Sequence, residues 1–292
     1  MAGSDFATMG MLALPAANTR HCCKLQASTL ASYRRKKNTL MASLIIDKRF
    51  CGPPNSANGG YVCGLLANAM GGSGEVTLRA PPPLDQRLDL VATADGTVEL
   101  REAQTVLAMG RPMVPDGGEI PSASLAEAIA AADRTAFADA NTHPLPGCFV
   151  CGPERALGDG LRIFVGPVAA HNLRQANVVA APWTASPDLA GEDGRIGCEF
   201  VWAALDCPSG FACHGPQLGI SGKEPILLGR MAAHIKQWPR ASEKYVIVAW
   251  PTGRDGRKLF ANSALLARDG KLLVIAQATW LIVGRQVQLG RR

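Results

Sequence analysis

The chain has 292 residues, 47% of them hydrophobic and 18% charged, with a formal net charge of +6. That length and apolar content suffice for two domains with real cores, and no run approaches the roughly 18 uninterrupted apolar residues that argue for a membrane-spanning helix. Residues 1–40 hold Arg20, Lys24, Arg34, Arg35, Lys36 and Lys37 against Asp5, so +5 of the charge lies there and the remainder carries only +1; a near-neutral body argues against nucleic acid as a partner.

The first 40 residues are basic, nearly free of acids and rich in Ser, Thr and Ala, which is the composition of an organelle transit peptide. A disordered leader has the same composition, and Met41 is an alternative start, because MASLIIDKRF reads as an N-terminus running into a strand. Nine scattered cysteines with no secretory signal ahead of them favour reduced thiols. The expected location is cytoplasmic, or an organelle matrix if residues 1–40 are a transit peptide.

From Ser43 the order of elements is regular. A short strand, SLIID, leads through a Gly/Pro turn at 51–54 into a helix from Pro54 to Met70. Val62, Leu65, Leu66, Ala69 and Met70 fall on one stripe of that helix, and the Gly-rich run at 71–74 ends it. Four extended runs follow: EVTLRA, RLDLVAT, TVELREA and TVLAM, with Asp95-Gly96 as a hairpin turn between two of them. Ser124 to Phe137 reads as a Ser-capped helix, and 141–160 as a Pro/Gly-rich linker. The second half repeats the order: extended LRIFV and NVVAA, a helix around CEFVWAALDCPSGFACHG, then ILLGRMAAHIKQW, YVIVAW, KLFANSALLA, the Asp269-Gly270 turn and KLLVIAQATWLIV. Strands joined by short turns pair antiparallel, and a single long helix must bury its stripe against them. The predicted class is α+β, with two units of one curved antiparallel sheet around one long helix each, over 41–140 and 161–292.

Two motifs stand out. NGGYVCGLLANA opens the first helix on Asn58, Gly59 and Gly60. Helix N-termini carry unpaired N–H groups and partial positive charge, and glycines leave them bare for a carbonyl oxygen or anion; close helix packing explains the same glycines equally well. VWAALDCPSGF sets Asp206 among apolar neighbours, where desolvation raises its pKa and suits it to activate water or attack a carbonyl. Asp206-Cys-Pro-Ser also reads as an N-cap with Pro208 just inside a new helix.

Element order and these two motifs resemble the tandem hotdog acyl-CoA thioesterases, the thioesterase II type in particular, over most of residues 43–283. The resemblance implies hydrolysis of an acyl-CoA or acyl-carrier thioester in a groove between two hotdog repeats, with no metal or organic cofactor. It implies Asp206 as the catalytic carboxylate, with a Thr or Ser and a Gln on neighbouring strands. Ile226 or Leu227 stands where the hydroxyl is expected, and Ala278 aligns with the Gln. A one-residue slip would make Gln277 the partner; otherwise that partner is missing. The alternative on the same fold is a non-catalytic acyl-CoA-binding or scaffold protein, and a third reading is a hydratase or dehydratase pairing Asp206 with His214. A homodimer is left open.

Arg254, Arg257 and Lys258 suit coenzyme A phosphates but equally the solvated tip of a hairpin. His234 reads as a core or interface histidine, and the five tryptophans as core or groove walls. Cys148-x-x-Cys151 with His143 upstream could ligate zinc or form a redox pair. No second CxxC or HxxxH accompanies it, and nothing in the spacing brings Cys198, Cys207, Cys213 or His214 near, so ordinary packed thiols and no metal are expected.

Overall fold

A computed structural model describes residues 38–168, 177–214, 218–221 and 224–284; residues 1–37 of the expected 1–40 leader lie outside them, while Thr39 and Leu40 belong to the first strand rather than to a leader. The first half runs β1 (Thr39–Ile45), α1 (Gly59–Asn68), β2 (Gly74–Leu78), β3 (Arg87–Ala92), β4 (Val98–Glu102) and β5 (Thr105–Arg111). After α2 (Leu125–Ala132) and the two-residue β6 (Gly166–Pro167), the second half runs β7 (Val179–Thr184), α3 (Cys198–Cys213), β8 (Ile226–Ile235), β9 (Lys244–Asp255), β10 (Lys258–Ala267) and β11 (Leu272–Ile282).

Among the described residues these strands form one 11-stranded antiparallel sheet. The first half is ordered β1-β3-β4-β5-β2 and the second β7-β9-β10-β11-β8, so the two connectivities are identical. They join where β2 pairs with β8, Val76 opposite Met231 and Thr77 opposite Arg230. Both predicted Asp-Gly turns form, with Gly96 at φ +86° and Gly270 at φ +85°, a conformation that glycine adopts without a Cβ clash.

Three expectations are corrected. The first helix begins at Gly59 rather than Pro54 and is only 10 residues long, because Pro53 to Asn58 is used in turns and in the N-cap. LRIFV is not a strand; pairing is limited to Gly166 and Pro167 against β7, while Leu161 and Ile163 hydrogen-bond back to the 149–150 backbone. Helix α3 is continuous through Pro208, so Asp206 sits inside it and the N-cap reading fails.

Strand alternation explains how both faces of the second half are covered. Ala181, Ile247 and Leu265 join the core under α1 and α3. Their neighbours Ala180, Val248 and Leu266 point the other way, where Ala128 and Ala131 of α2 cover them. A strand buried on both faces reads as an unbroken apolar run, as YVIVAW does. Helix α2 carries a full capping box from Ser124 and Glu127; although it falls within 41–140, it packs on β7 and β9 of the other half.

Helices α1 and α3 lie directly on each other. A Cβ on Gly64 would stand 2.4 Å from Glu199 Cα, and one on Gly60 would stand 2.4 Å from Asp206 Cβ. Trp202 locks the pair, its indole N–H donating to the Gly72 carbonyl just past α1 at 3.2 Å. Trp202 and Leu205 are fully buried, each stabilising by about 2–3 kcal/mol. Among the described residues no helix is long and apolar enough to cross a membrane.

Candidate active site

Helix α1 starts on Asn58, whose side-chain oxygen accepts from the Tyr61 N–H at 2.9 Å. That bond fixes the amide orientation and turns its NH₂ toward α3, where it donates to Asp206 Oδ2 at 3.0 Å. The Gly60 N–H donates to the same oxygen at 2.9 Å. Thus two of the sequence-predicted residues converge on a third across 146 and 148 residues of chain. The glycine permits the helix crossing, but its N–H is held by the Asp206 carboxylate and is not left bare for a substrate oxygen as the sequence suggested.

Asp206 is 2% exposed. Desolvation is the largest influence on it and, with the charge of Cys148, outweighs the Gly60 and Asn58 hydrogen bonds, so its pKa rises to about 7. Its other oxygen, Oδ1, meets no hydrogen-bond partner among the described residues. Both partners of Oδ2 are donors, so a proton on the neutral acid belongs on Oδ1.

Asp206 borders a cavity of about 820 Å³. Its wall includes Asn58 and Gly59 from the start of α1, Pro81 to Pro83, His143 to Leu145, Leu228 on β8 and Trp280 on β11. Among the described residues no acceptor meets the Gly59 N–H, which leaves one backbone donor at the positive end of α1 beside the carboxylate. The site is braced from beneath. Trp280 donates to Ser209 Oγ at 2.9 Å, Ser209 donates to the Asp206 carbonyl at 2.7 Å, and Ser263 on β10 donates to the Leu205 carbonyl at 2.8 Å.

Gln277 is not there. Ala276 lies opposite Ser263, the residue that reaches α3, so Gln277 points to the opposite face of the sheet. It borders a separate depression with Asn262 and Thr279, and its amide donates to the Asp116 carbonyl. The unslipped register is the one observed: Ala278 and Trp280 occupy the helix-facing positions, and Leu228, next to the Ile226 and Leu227 positions where a hydroxyl was expected, packs against Gly59. Arg254 and Arg257 are not brought to the cavity either. Arg254 bonds the carbonyls of Leu218, Gly219 and Gly256, and Arg257 lies in the exposed β9–β10 turn. His234 shares a 2.8 Å hydrogen bond with Ser73 where the halves join, away from the cavity lining.

His143 and Cys207 were weighed in the sequence only around the CxxC motif, and their place on this wall was missed. His143 is buried; its Nδ1 accepts from the Leu145 N–H at 3.0 Å, and its Nε2 has no partner among the described residues. Burial holds its pKa below the ordinary range. Cys207 meets the Cys148-x-x-Cys151 pair, with all three sulfurs within 4.8 Å of one another. The CxxC was visible in the sequence, but no spacing signal links it to a cysteine 56 positions beyond Cys151.

No family model and no curated protein matches the chain. Solved structures do. An acyl-CoA thioesterase II, TesB2, from Mycobacterium marinum is similar at 12% identity with a TM-score of 0.54, over 82% of this chain and 92% of that one. A protein provisionally described as a thioesterase, from Novosphingobium aromaticivorans, is similar at 14% identity with a TM-score of 0.51, over 83% and 95%. A conserved protein with a hot dog fold from Alicyclobacillus acidocaldarius matches at 10% identity with a TM-score of 0.47, over 83% and 92%. At these identities the likeness is one of fold.

Proposed function

We propose that this protein is a double hotdog thioester hydrolase in which Asp206 is the base. The two units of identical connectivity correspond to 41–140 and 161–292, with α2 lent by the first span to the second unit's sheet. The observation that carries the chemistry is the asymmetry of the Asp206 carboxylate. One oxygen is held by Asn58 and Gly60; the other has no partner among the described residues in a residue that borders the cavity. A carboxylate held in this way is oriented for proton transfer at a single atom, and a pKa of about 7 suits a base working near neutrality.

In the proposed reaction, ionised Asp206 takes a proton on Oδ1 from a water that attacks the thioester carbonyl. The oxyanion is received by the Gly59 N–H at the start of α1. As the tetrahedral intermediate collapses, the C–S bond breaks and the sulfur leaves with the proton from Oδ1, giving a carboxylic acid and a free thiol. The apolar wall of Leu78, Leu228, Phe211 and Trp280 suits an acyl chain, so an acyl-CoA or acyl-carrier thioester is the substrate class. The apolar residues at Ile226, Leu227 and Ala278, where a hydroxyl and a Gln were expected, favour the second reading, an acyl-binding protein without turnover.

Thiol release from a panel of acyl-CoAs, with binding measured in parallel, separates the two. Turnover that Asp206→Asn abolishes supports the hydrolase. Turnover that survives the substitution removes Asp206 from the mechanism. Tight acyl-CoA binding with no release supports the binding protein.

A further inference from the structure

We infer that Cys148, Cys151 and Cys207 form a site for a thiophilic divalent cation of the Zn²⁺ class, held by three sulfurs on the wall of the Asp206 cavity. The inference is independent of thioester hydrolysis, because it concerns binding alone. Cys148 and Cys207 sulfurs are 3.8 Å apart. Two thiolates on one tetrahedral zinc, each about 2.3 Å from the metal, stand about 3.8 Å apart, so this edge of the site already has its metal-bound length. Cys151 Sγ completes a triangle with every side within 4.8 Å.

The local backbone is built for a ligand at Cys148. The neighbouring thiols of Cys151 and Cys207 draw the Cys148 thiol below its ordinary range against the opposing effect of burial, and the Cys151 and Val150 N–H groups act in the same direction. The turn that aims them is closed by the Gly152 N–H to the Cys148 carbonyl at 2.8 Å. A Cβ on Gly152 would stand 2.4 Å from that carbonyl oxygen, so a side chain at 152 would open the turn. Cys-x-x-Cys-Gly is therefore held as a compact knuckle. Cys207 faces it from α3, one residue after Asp206.

Ordinary packed thiols behave differently in this same molecule. Cys63, Cys198 and Cys213 are buried too, yet none is part of a ligand cluster among the described residues. Soft sulfur ligands select zinc over calcium or magnesium. Binding displaces the remaining thiol protons to solvent, and the three sulfurs leave the ion's fourth position open. The ion would staple the segment between the two halves to α3.

The test uses the full chain, reduced and stripped with a chelator, then titrated with Zn²⁺ against a competing indicator and with Co²⁺ as a spectroscopic stand-in. Expected are one zinc per chain, a tetrahedral thiolate–cobalt absorption, and protection of Cys148, Cys151 and Cys207 from alkylation by Zn²⁺, read by mass spectrometry on the unmutated protein. Cys148→Ser, Cys151→Ser and Cys207→Ser should each weaken binding by at least about 100-fold, while Cys198→Ser binds normally. Absent stoichiometric binding in the reduced wild type, a cobalt spectrum without thiolate character, or equal alkylation with and without zinc would each overturn the inference.

Discussion

Gly60 stands closer to Asp206 than a residue with a Cβ could: the glycine N–H is 2.9 Å from the carboxylate oxygen, and a methyl group on Gly60 would lie 2.4 Å from Asp206 Cβ. Gly60→Ala must therefore push α1 off α3. We expect destabilisation of about 1–3 kcal/mol together with loss of hydrolysis. Gly64→Ala, with an equal clash against Glu199 Cα but no contact with the carboxylate, should destabilise comparably and retain more activity. Thermal unfolding beside thiol release checks both; equal activity losses would mean that Gly60 matters only for packing.

Asp206→Asn keeps an oxygen to accept from Gly60 and Asn58 but cannot take a proton at neutral pH. Hydrolysis should fall by about 10²–10⁴-fold, with acyl-CoA binding preserved. A loss of binding in step with turnover would point to a structural role instead.

The same substitution should change how stability depends on pH. Folding raises the Asp206 pKa from 3.8 to about 7, so the folded state holds its proton more tightly than the unfolded chain. Below about pH 4 both states are protonated and no penalty applies. Between about 4 and 7 stability falls as pH rises, and above 7 about 4 kcal/mol has been lost. Urea unfolding at pH 5 and pH 8, with a chelator present, should show a larger fall for wild type than for Asp206→Asn; parallel curves would contradict the raised pKa.

Gln277→Ala and Arg254→Ala should leave turnover within about twofold of wild type, as expected of sites outside the reaction. Gln277 sits on the opposite face of the sheet, with its amide on the Asp116 carbonyl, and Arg254 is engaged with the 218–219 backbone. A drop of tenfold or more in kcat for Gln277→Ala would show that β11 turns over during catalysis.

Ser209→Ala removes the acceptor of the Trp280 indole N–H and the donor to the Asp206 carbonyl in a fully buried setting. The stranded indole N–H should destabilise the fold by about 1–3 kcal/mol, measurable by denaturant midpoint. A neutral result would mean that water enters to replace the hydroxyl.

Most of the architecture was legible from pattern. Apart from LRIFV, the strand runs, together with both Asp-Gly turns and the Ser124 cap, depend on interactions between near neighbours, and they formed where expected. LRIFV failed because its apolar residues are buried by a loop that folds back on 149–150 rather than by strand pairing. At Asn58, Gly60 and Asp206 the residue types were readable, as polar or bare positions inside apolar helices, but which one met which was not. Gln277 shows the limit most sharply: a one-residue ambiguity in strand register decides between the cavity and the opposite face, and only the pairing of Ala276 with Ser263 resolves it.

Local chemistry in the chain was enough to specify two rounds of the same element order and a lone acid in oily surroundings, because periodicity, capping and turn formation act over a few residues. Three-dimensional packing alone supplied the rest: the crossing of α1 on α3 that sets two donors on one carboxylate oxygen, and the approach of Cys207 to the Cys148–Cys151 knuckle. Those contacts join residues separated by 56 to 148 positions, and no short-range rule encodes a distance between points so far apart along a chain.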